Sequence, residues 1–380
     1  MMMAVLLGMP ALFGPFTDHA ARAQWERRPL AAFPGLLQQG GTEQPFFSQL
    51  NAFLNDHAGF MLEFNRAYRR WVYYGIGDDP QPTITAGLDG FVFIHTPDSG
   101  RPYEAFNNTC IRPTDAGQIT ENLPRWKGLL DLYTSQGYRT GLIIAPSKRT
   151  LYPEKLPASV PQKYRDACAS FAQQPNIPGE LLKAGELEGR AIVYPFEDFL
   201  KLKDQGNFYP KENFHWHGRS AQVAARQWAA KSGISLPDSY SEQWKEIDQR
   251  ADTSDLLGFD LEFRRVVPDY PGFDVSEERG ATSGMSKYFM GKWKPTGRFV
   301  TQNPVTQRTA LVIGNSFTEF LVPHLAPVYR ELTWVMTNTW SQRETAEHVP
   351  RIVELIKPDD LIFVTHDGGT IKANKLIYSH

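Results

Sequence analysis

Residues 310–320 read A-L-V-I-G-N-S-F-T-E-F. Ala310, Leu311, Val312 and Ile313 form a short apolar run that fits a buried strand, and it leads directly into Gly314-Asn315-Ser316-Phe317 and a helical segment. A strand, a glycine and a serine at the head of a helix is how α/β folds present a nucleophile. The glycine permits the tight turn, the serine lands at the carboxyl end of the strand, and backbone N–H groups at the helix start point toward a developing oxyanion. Ser316 is therefore the first candidate for a catalytic group. The competing reading makes it simply the N-cap of that helix.

The flanking sequence repeats the strand-then-helix pattern. Residues 140–145, 191–194 and 361–364 are short apolar runs that read as buried strands, and 114–136, 179–189, 220–232 and 346–356 read as helices. Alternation of this kind gives an α/β fold with an open, mostly parallel sheet, whose ligands bind beyond the strand carboxyl ends. Four loops meet at that edge: 146–148, the segment after Tyr194, 314–317 and 365–369. Upstream, 46–74 has helical apolar spacing, and 84–94 reads as a hairpin about Gly87-Leu88-Asp89-Gly90. Residues 235–304, rich in Gly, Pro, Asp and aromatics, are expected to form mixed loops and short strands inside the same domain.

Composition narrows the partners. A formal net charge of −2 without any Lys/Arg-rich block argues against nucleic acid or an anionic membrane as the main partner. The two cysteines, Cys110 and Cys168, have no zinc-like spacing, and nothing in the chain calls for a metal or a cofactor. In an oxidising compartment they would form one disulfide, in the cytosol two buried thiols. Residues 1–16 are apolar and too short to span a bilayer unaided, and Ala21-Arg22-Ala23 offers a small-residue cleavage site, although a basic n-region is missing. We read 1–24 as an export signal or truncated membrane anchor, with a cytosolic apolar helix as the alternative. Residues 25–45 read as a linker and 46–380 as the catalytic domain.

A serine nucleophile needs a base. His215 lies in the polar-aromatic loop Tyr209-Pro210-Lys211-Glu212-Asn213-Phe214-His215-Trp216-His217, just before a helix; His366 ends the last strand beside Asp367. Taken singly, each also fits a surface or helix-capping histidine.

Six motifs in order resemble the SGNH-hydrolase-like alginate O-acetyltransferases of the AlgJ and AlgX type. They are Asn55-Asp56-His57-Ala58-Gly59-Phe60; Gly87-Leu88-Asp89-Gly90-Phe91-Val92-Phe93; Pro146-Ser147-Lys148 with Tyr152-Pro153 and Leu156-Pro157; Asn213-Phe214-His215-Trp216; Gly314-Asn315-Ser316-Phe317; and Lys357-Pro358-Asp359. The resemblance implies an SGNH-hydrolase-like three-layer fold with an N-terminal helical and hairpin lead-in. It also implies acetyl transfer to a periplasmic exopolysaccharide through an acyl-serine, with a membrane-bound O-acyltransferase as acetyl donor and with or without an inner-membrane anchor at the N-terminus.

Carried over residue by residue, the nucleophile falls on Ser316, the base on His215 and the triad acid on Asn213. An amide there orients the imidazole imperfectly and hardly stabilises the imidazolium. Three outcomes follow: a nearby carboxylate such as Glu212 or Asp204 substitutes, a Ser-His dyad works with Asn213 orienting the ring, or the centre is degenerate. The same machinery serves a polysaccharide acetylesterase, and a degenerate centre would leave a polysaccharide-binding scaffold subunit. Asn315, Lys148 and Ser147 are candidates for oxyanion or substrate contacts, Trp216, Trp293 and Trp340 for stacking on sugar faces, and His366 with Asp367 for an alternative base pair.

Overall fold

The computed structural model describes residues 19–20, 23, 29–33, 46–57, 61–80, 83–95, 101–205, 208–240, 244–270, 272–279, 296–338 and 340–375. The expected export segment and linker lie largely outside these residues, as does Trp293. Among the described residues no helix is long and apolar enough to cross a membrane.

The chain divides into two compact units. The first comprises 1–81 together with 253–261, so the boundary falls well inside the single domain expected from 46 onward. It holds helices α1 (Phe46–His57) and α2 (Met61–Arg70), the latter continued by a π-helical turn, Trp71–Ile76, that Gly77 ends at φ +73°. The segment 253–261 belongs to this unit because Phe259 packs against Tyr73 and Tyr74, and Leu257 O accepts from the Arg69 guanidinium at 3.4 Å.

The second unit comprises 82–252 and 262–380. It begins with the antiparallel hairpin β1 (Ile84–Ala86) and β2 (Val92–Ile94), turning through Asp89 and Gly90, both at positive φ. Next come helix α3 (Ala116–Ser135), strand β3 (Arg139–Ala145), helices α4 (Gln162–Ala169) and α5 (Ile177–Glu188), and strand β4 (Ala191–Val193). Helices α6 (Phe196–Leu202) and α7 (Arg219–Lys231) precede an antiparallel pair, β5 (Trp244–Arg250) and β6 (Glu262–Pro268). Strands β7 (Val275–Arg279), β8 (Thr296–Thr301) and β9 (Thr306–Gly314), helix α8 (Phe317–Leu325), strand β10 (Tyr329–Met336), helix α9 (Gln342–Ile356) and strand β11 (Asp360–His366) complete it.

Seven strands form the main sheet in the order β4-β3-β11-β9-β10-β8-β7. The first five run parallel, and β8 and β7 add an antiparallel edge. The parallel strands are buried on both faces, which explains why they read as unbroken apolar runs. Two groups of helices flank the sheet: α7 packs on α8, β3 and β4, while α3 packs on α5 and β3. Trp228 Nε1 donates to the Tyr329 hydroxyl at 2.7 Å and Trp126 Nε1 to Thr370 O at 2.9 Å, so the large core indoles bury no unpaired N–H at these points. Cys110 and Cys168 are joined by a disulfide that staples the turn before α3 to α4.

The register brings the functional loops together. Along β11, Val364 pairs with Gly314 and His366 pairs with Ala145, so β3, β9 and β11 end at one level. Residues 146–148, 314–317 and 366–368 therefore leave the sheet side by side.

Candidate active site

The Ser316 turn starts from Gly314. A Cβ there would lie 2.3 Å from Val364 O and 2.6 Å from Thr318 Oγ1, so close approach of the neighbouring strand demands glycine. Gly314 O accepts from Thr337 N at 2.8 Å, and Asn315 N donates to Val364 O at 3.2 Å, which ties the turn to β10 and β11. The Asn315 Oδ1 accepts from Phe317 N at 3.1 Å and so caps the helix. Ser316 occupies the N-cap position but its side chain makes no capping bond. Its Oγ lies instead 2.7 Å from His215 Nε2.

His215 reaches the serine from the loop before α7. The loop is pinned at several points: Val92 N donates to Lys211 O at 2.9 Å, the Tyr209 hydroxyl to Phe214 O at 3.2 Å, and Trp216 Nε1 to Phe317 O at 2.9 Å. The imidazole itself sits 4.9 Å, centroid to centroid, from both Phe317 and Phe320.

The carboxylate on His215 comes from Asp252, where the resemblance puts the acid at Asn213 and one of the three open outcomes has Glu212 or Asp204 in its place. The Asp252 Oδ2 lies 2.5 Å from His215 Nδ1 and 3.3 Å from His215 N, and the Asp252 Oδ1 accepts from Phe214 N at 2.7 Å. Burial opposes the charge on this carboxyl. The hydrogen bond and charge of His215, the Phe214 N–H and the Lys148 ammonium outweigh that penalty and hold it below the ordinary carboxylate range. The arrangement sets a hydroxyl, an imidazole and a carboxylate in one hydrogen-bonded line, the geometry that a serine, a base and an acid need to act together, with the carboxylate 37 residues after the imidazole. No local signal marks Asp252; it lies in a turn after β5, inside the segment read as irregular.

Asn213 makes no hydrogen bond to the His215 ring, whose two nitrogens are taken by Asp252 and Ser316. Its Oδ1 accepts from Asp252 N at 2.8 Å, and its Nδ2 donates to His217 Nε2. Lys148 is not an oxyanion donor either: it is 4 % exposed, and its ammonium donates to Val92 O at 3.1 Å and Lys211 O at 2.6 Å. Burial pushes its pKa down to about 7, against the opposing pull of Asp252 and Glu212. It braces the catalytic loop against the hairpin. Ser147 turns inward as well, its N–H donating to Asp367 Oδ2 at 2.9 Å and its hydroxyl lying 3.3 Å from Thr150 Oγ1.

His366 and Asp367 do not form a hydrogen-bonded relay. They stand 3.7 Å apart, while the Asp367 carboxylate is occupied by the N–H groups of Ser147 and Gly368 and the Thr150 hydroxyl. His366 packs near the serine turn, 5.6 Å from the Phe317 ring. Trp216 is fully buried beneath that turn and Trp340 is buried too, so neither offers a face to a sugar. Two donors of the nucleophile turn meet no acceptor among the described residues, the Ser316 N–H and the Asn315 Nδ2.

Beside the His215 loop opens a cleft of about 770 Å³. Tyr209, Lys211 and Glu212 of that loop line it together with Phe91, Tyr152 and Phe263, while Ser316 and His215 are not among its walls.

No family model matches the chain. Over 154 residues it is 27 % identical to the probable alginate O-acetylase AlgJ of Pseudomonas syringae pv. tomato, a match covering 39 % of this chain and 37 % of that protein. The chain thus spans little more than a third of the length of this curated relative. Among solved structures it is similar to the O-acetyltransferase domain of Pseudomonas putida AlgJ (13 % identity, 77 % of this chain and 93 % of that one, TM-score 0.44). It is also similar to Bacillus cereus PatB1 (15 %, 67 % and 91 %, 0.43) and Pseudomonas aeruginosa AlgX (13 %, 77 % and 66 %, 0.40). Over the matched 154 residues the chain is thus similar in sequence to an alginate O-acetylase, the kind of protein that the ordered motifs resemble.

Proposed function

We propose that this protein is a serine-dependent O-acetyltransferase that acetylates a bacterial exopolysaccharide. The observation that carries the reading is the continuous line from Ser316 Oγ through His215 to Asp252, with contacts of 2.7 and 2.5 Å. His215 Nε2 takes the Ser316 proton as Oγ attacks the acetyl carbonyl of the donor. The tetrahedral oxyanion is received by the Ser316 N–H and the Asn315 Nδ2, and Asp252 stabilises the imidazolium. Collapse expels the donor's leaving group with the proton from His215, leaving acetyl-Ser316. A sugar hydroxyl then gives its proton to His215 as it attacks the acyl carbonyl, and when this second tetrahedral intermediate collapses His215 returns that proton to the departing Ser316 Oγ, which releases the acetyl ester and restores both residues.

The substrate class comes from the alginate O-acetylase relative. From the family that the ordered motifs resemble, we further infer a membrane-bound O-acyltransferase as acetyl donor and the periplasm as compartment; the Cys110–Cys168 disulfide supports an oxidising location. The carboxylate on His215 Nδ1 favours a working centre over the degenerate scaffold that the amide at Asn213 suggested. An esterase would use the same residues, with water in place of the sugar hydroxyl.

A sulfonyl fluoride should label Ser316, and Ser316→Ala should abolish both labelling and turnover of a small acetyl ester. Adding an uronic-acid oligosaccharide should divert acetyl from water to the sugar, read by mass. Equal turnover by Ser316→Ala and wild type removes the serine from the mechanism; hydrolysis alone, whatever the acceptor, makes the protein an esterase.

A further inference from the structure

The geometry points to Asn213 and His217 as a two-residue clamp that positions the catalytic acid by holding the Asp252 main chain; it rests on the Ser316–His215–Asp252 reading above. Asp252 lies in a turn, so no strand or helix ladder fixes its backbone. Its carboxylate is held from one side by Phe214 and His215. From the other side its N–H donates to Asn213 Oδ1 at 2.8 Å.

That bond also fixes the orientation of the amide. A backbone N–H only donates, so the Asn213 oxygen faces Asp252 and the Asn213 nitrogen faces His217 Nε2. His217 must therefore accept, with its ring proton on Nδ1. Burial first, and then the positive charge of Arg265, keeps its pKa well below the ordinary histidine value and the ring neutral.

His217 is itself anchored. It stands at the start of α7, where its N–H donates to Ser220 Oγ at 3.2 Å and its carbonyl accepts from that hydroxyl at 2.8 Å. Its ring packs 4.1 Å from Phe320 and 5.3 Å from Phe263, centroid to centroid. Asn213 is 2 % exposed and His217 3 %, so water does not compete for either contact. The order of support runs from the helix start to His217, from His217 to the Asn213 amide, and from the amide to the acid. An amide suits position 213 because it offers an acceptor to Asp252 and a donor to His217 without setting a second negative charge beside the acid.

The test uses the whole chain and two readouts, ester turnover and the downfield resonance of the His215 Nδ1 proton that Asp252 accepts. Asn213→Ala should lower kcat about 10²-fold with KM little changed, because the acid is displaced while the substrate contacts stay. It should also shift or erase the downfield resonance. His217→Gln, which keeps an acceptor for the amide, should retain more turnover than His217→Leu; this pair keeps the test open should Asn213→Ala fail to fold. The double change Asp252→Asn with Asn213→Asp should recover nothing over Asp252→Asn alone. Asn213→Ala with wild-type kcat and an unmoved resonance overturns the clamp, as does recovery of turnover in the double variant or equal turnover in the two His217 variants. If wild-type protein turns over no ester, the catalytic reading fails, and the clamp is still judged by whether Asn213→Ala moves the resonance.

Discussion

Replacing Asp252 by Asn tests the site most directly, because the two shapes are nearly identical and only charge and donor pattern change. In the native site both carboxylate oxygens accept: Oδ1 from Phe214 N at 2.7 Å, Oδ2 from His215 Nδ1 at 2.5 Å and from His215 N at 3.3 Å. An amide has one acceptor oxygen and one donor nitrogen. If its oxygen stays on Phe214 N, its nitrogen faces His215 Nδ1, which must then give up its proton. The ring proton moves to Nε2 and points at Ser316 Oγ, so the base has become a donor. If its oxygen turns to His215, the amide nitrogen meets the Phe214 N–H, leaving two donors face to face at about 1–3 kcal/mol. Neither orientation supplies the charge that stabilises the imidazolium. The same Asp-to-Asn exchange in a serine protease triad lowers kcat by about 10⁴, or roughly 5.5 kcal/mol of transition-state stabilisation, and a loss of that order is expected here. The assay is initial-rate hydrolysis of an acetyl ester alongside the rate of sulfonyl labelling of Ser316, with urea unfolding to verify that the variant is folded. A folded Asp252→Asn protein that keeps more than about a tenth of wild-type kcat would falsify the assignment of Asp252 as the acid.

Three further outcomes follow from the packing around the site and core. Gly314→Ala forces a Cβ to within 2.3 Å of Val364 O, so the turn must shift; turnover should fall at least about 10²-fold, and a variant of undiminished kcat would mean the turn tolerates displacement. The Cys110–Cys168 disulfide closes a loop of 58 residues, so reduction, or the paired change to Ala, should lower the unfolding free energy by about 4 kcal/mol, and no loss on reduction counts against the bond. His324 is fully buried with Nδ1 2.8 Å from the Tyr270 hydroxyl, and burial, then Arg265, lowers its pKa from 6.5 to about 3. Between those values the unfolded chain binds the proton and the folded one does not, so stability falls as pH drops below 6.5. The loss should reach about 3 kcal/mol by about pH 4. His324→Gln should flatten this acid limb in urea titrations; an unchanged slope assigns it to other groups.

The parallel core of the fold is legible in the sequence because strands buried on both faces read as apolar runs. Residues 140–145, 191–194 and 361–364 fall within a residue or two of β3, β4 and β11. Strand β9 extends further back, from Thr306, because its first residues are only partly buried. Strand β10 escapes such a reading because its Tyr, Arg, Glu and Thr residues mix polarity without a clean period. Strands β5 to β8 are hidden in the segment 235–304, where half-exposed antiparallel strands such as Trp244–Arg250 carry charges at most positions. The serine and histidine are readable because their chemistry sits in local motifs at a strand end and a helix start. Asp252 is not, since only folding brings it to His215 across 37 residues, and nothing in its neighbours Ala251 and Thr253 announces a role.

The donors that receive Asp252 come from two consecutive residues, Phe214 and His215, and all of them are fixed by the loop and not by the acid. Together they make a socket for one negative charge, and a socket is indifferent to which part of the chain fills it. In this molecule the occupant arrives from beyond α7 and β5, which on the proposed mechanism gives the order base, acid, nucleophile along the chain. A pattern search that insists on an acid two residues ahead of the histidine would discard such a protein as inactive. A search for the socket, an imidazole Nδ1 flanked by two outward N–H groups, would keep it and then ask what carboxylate can reach.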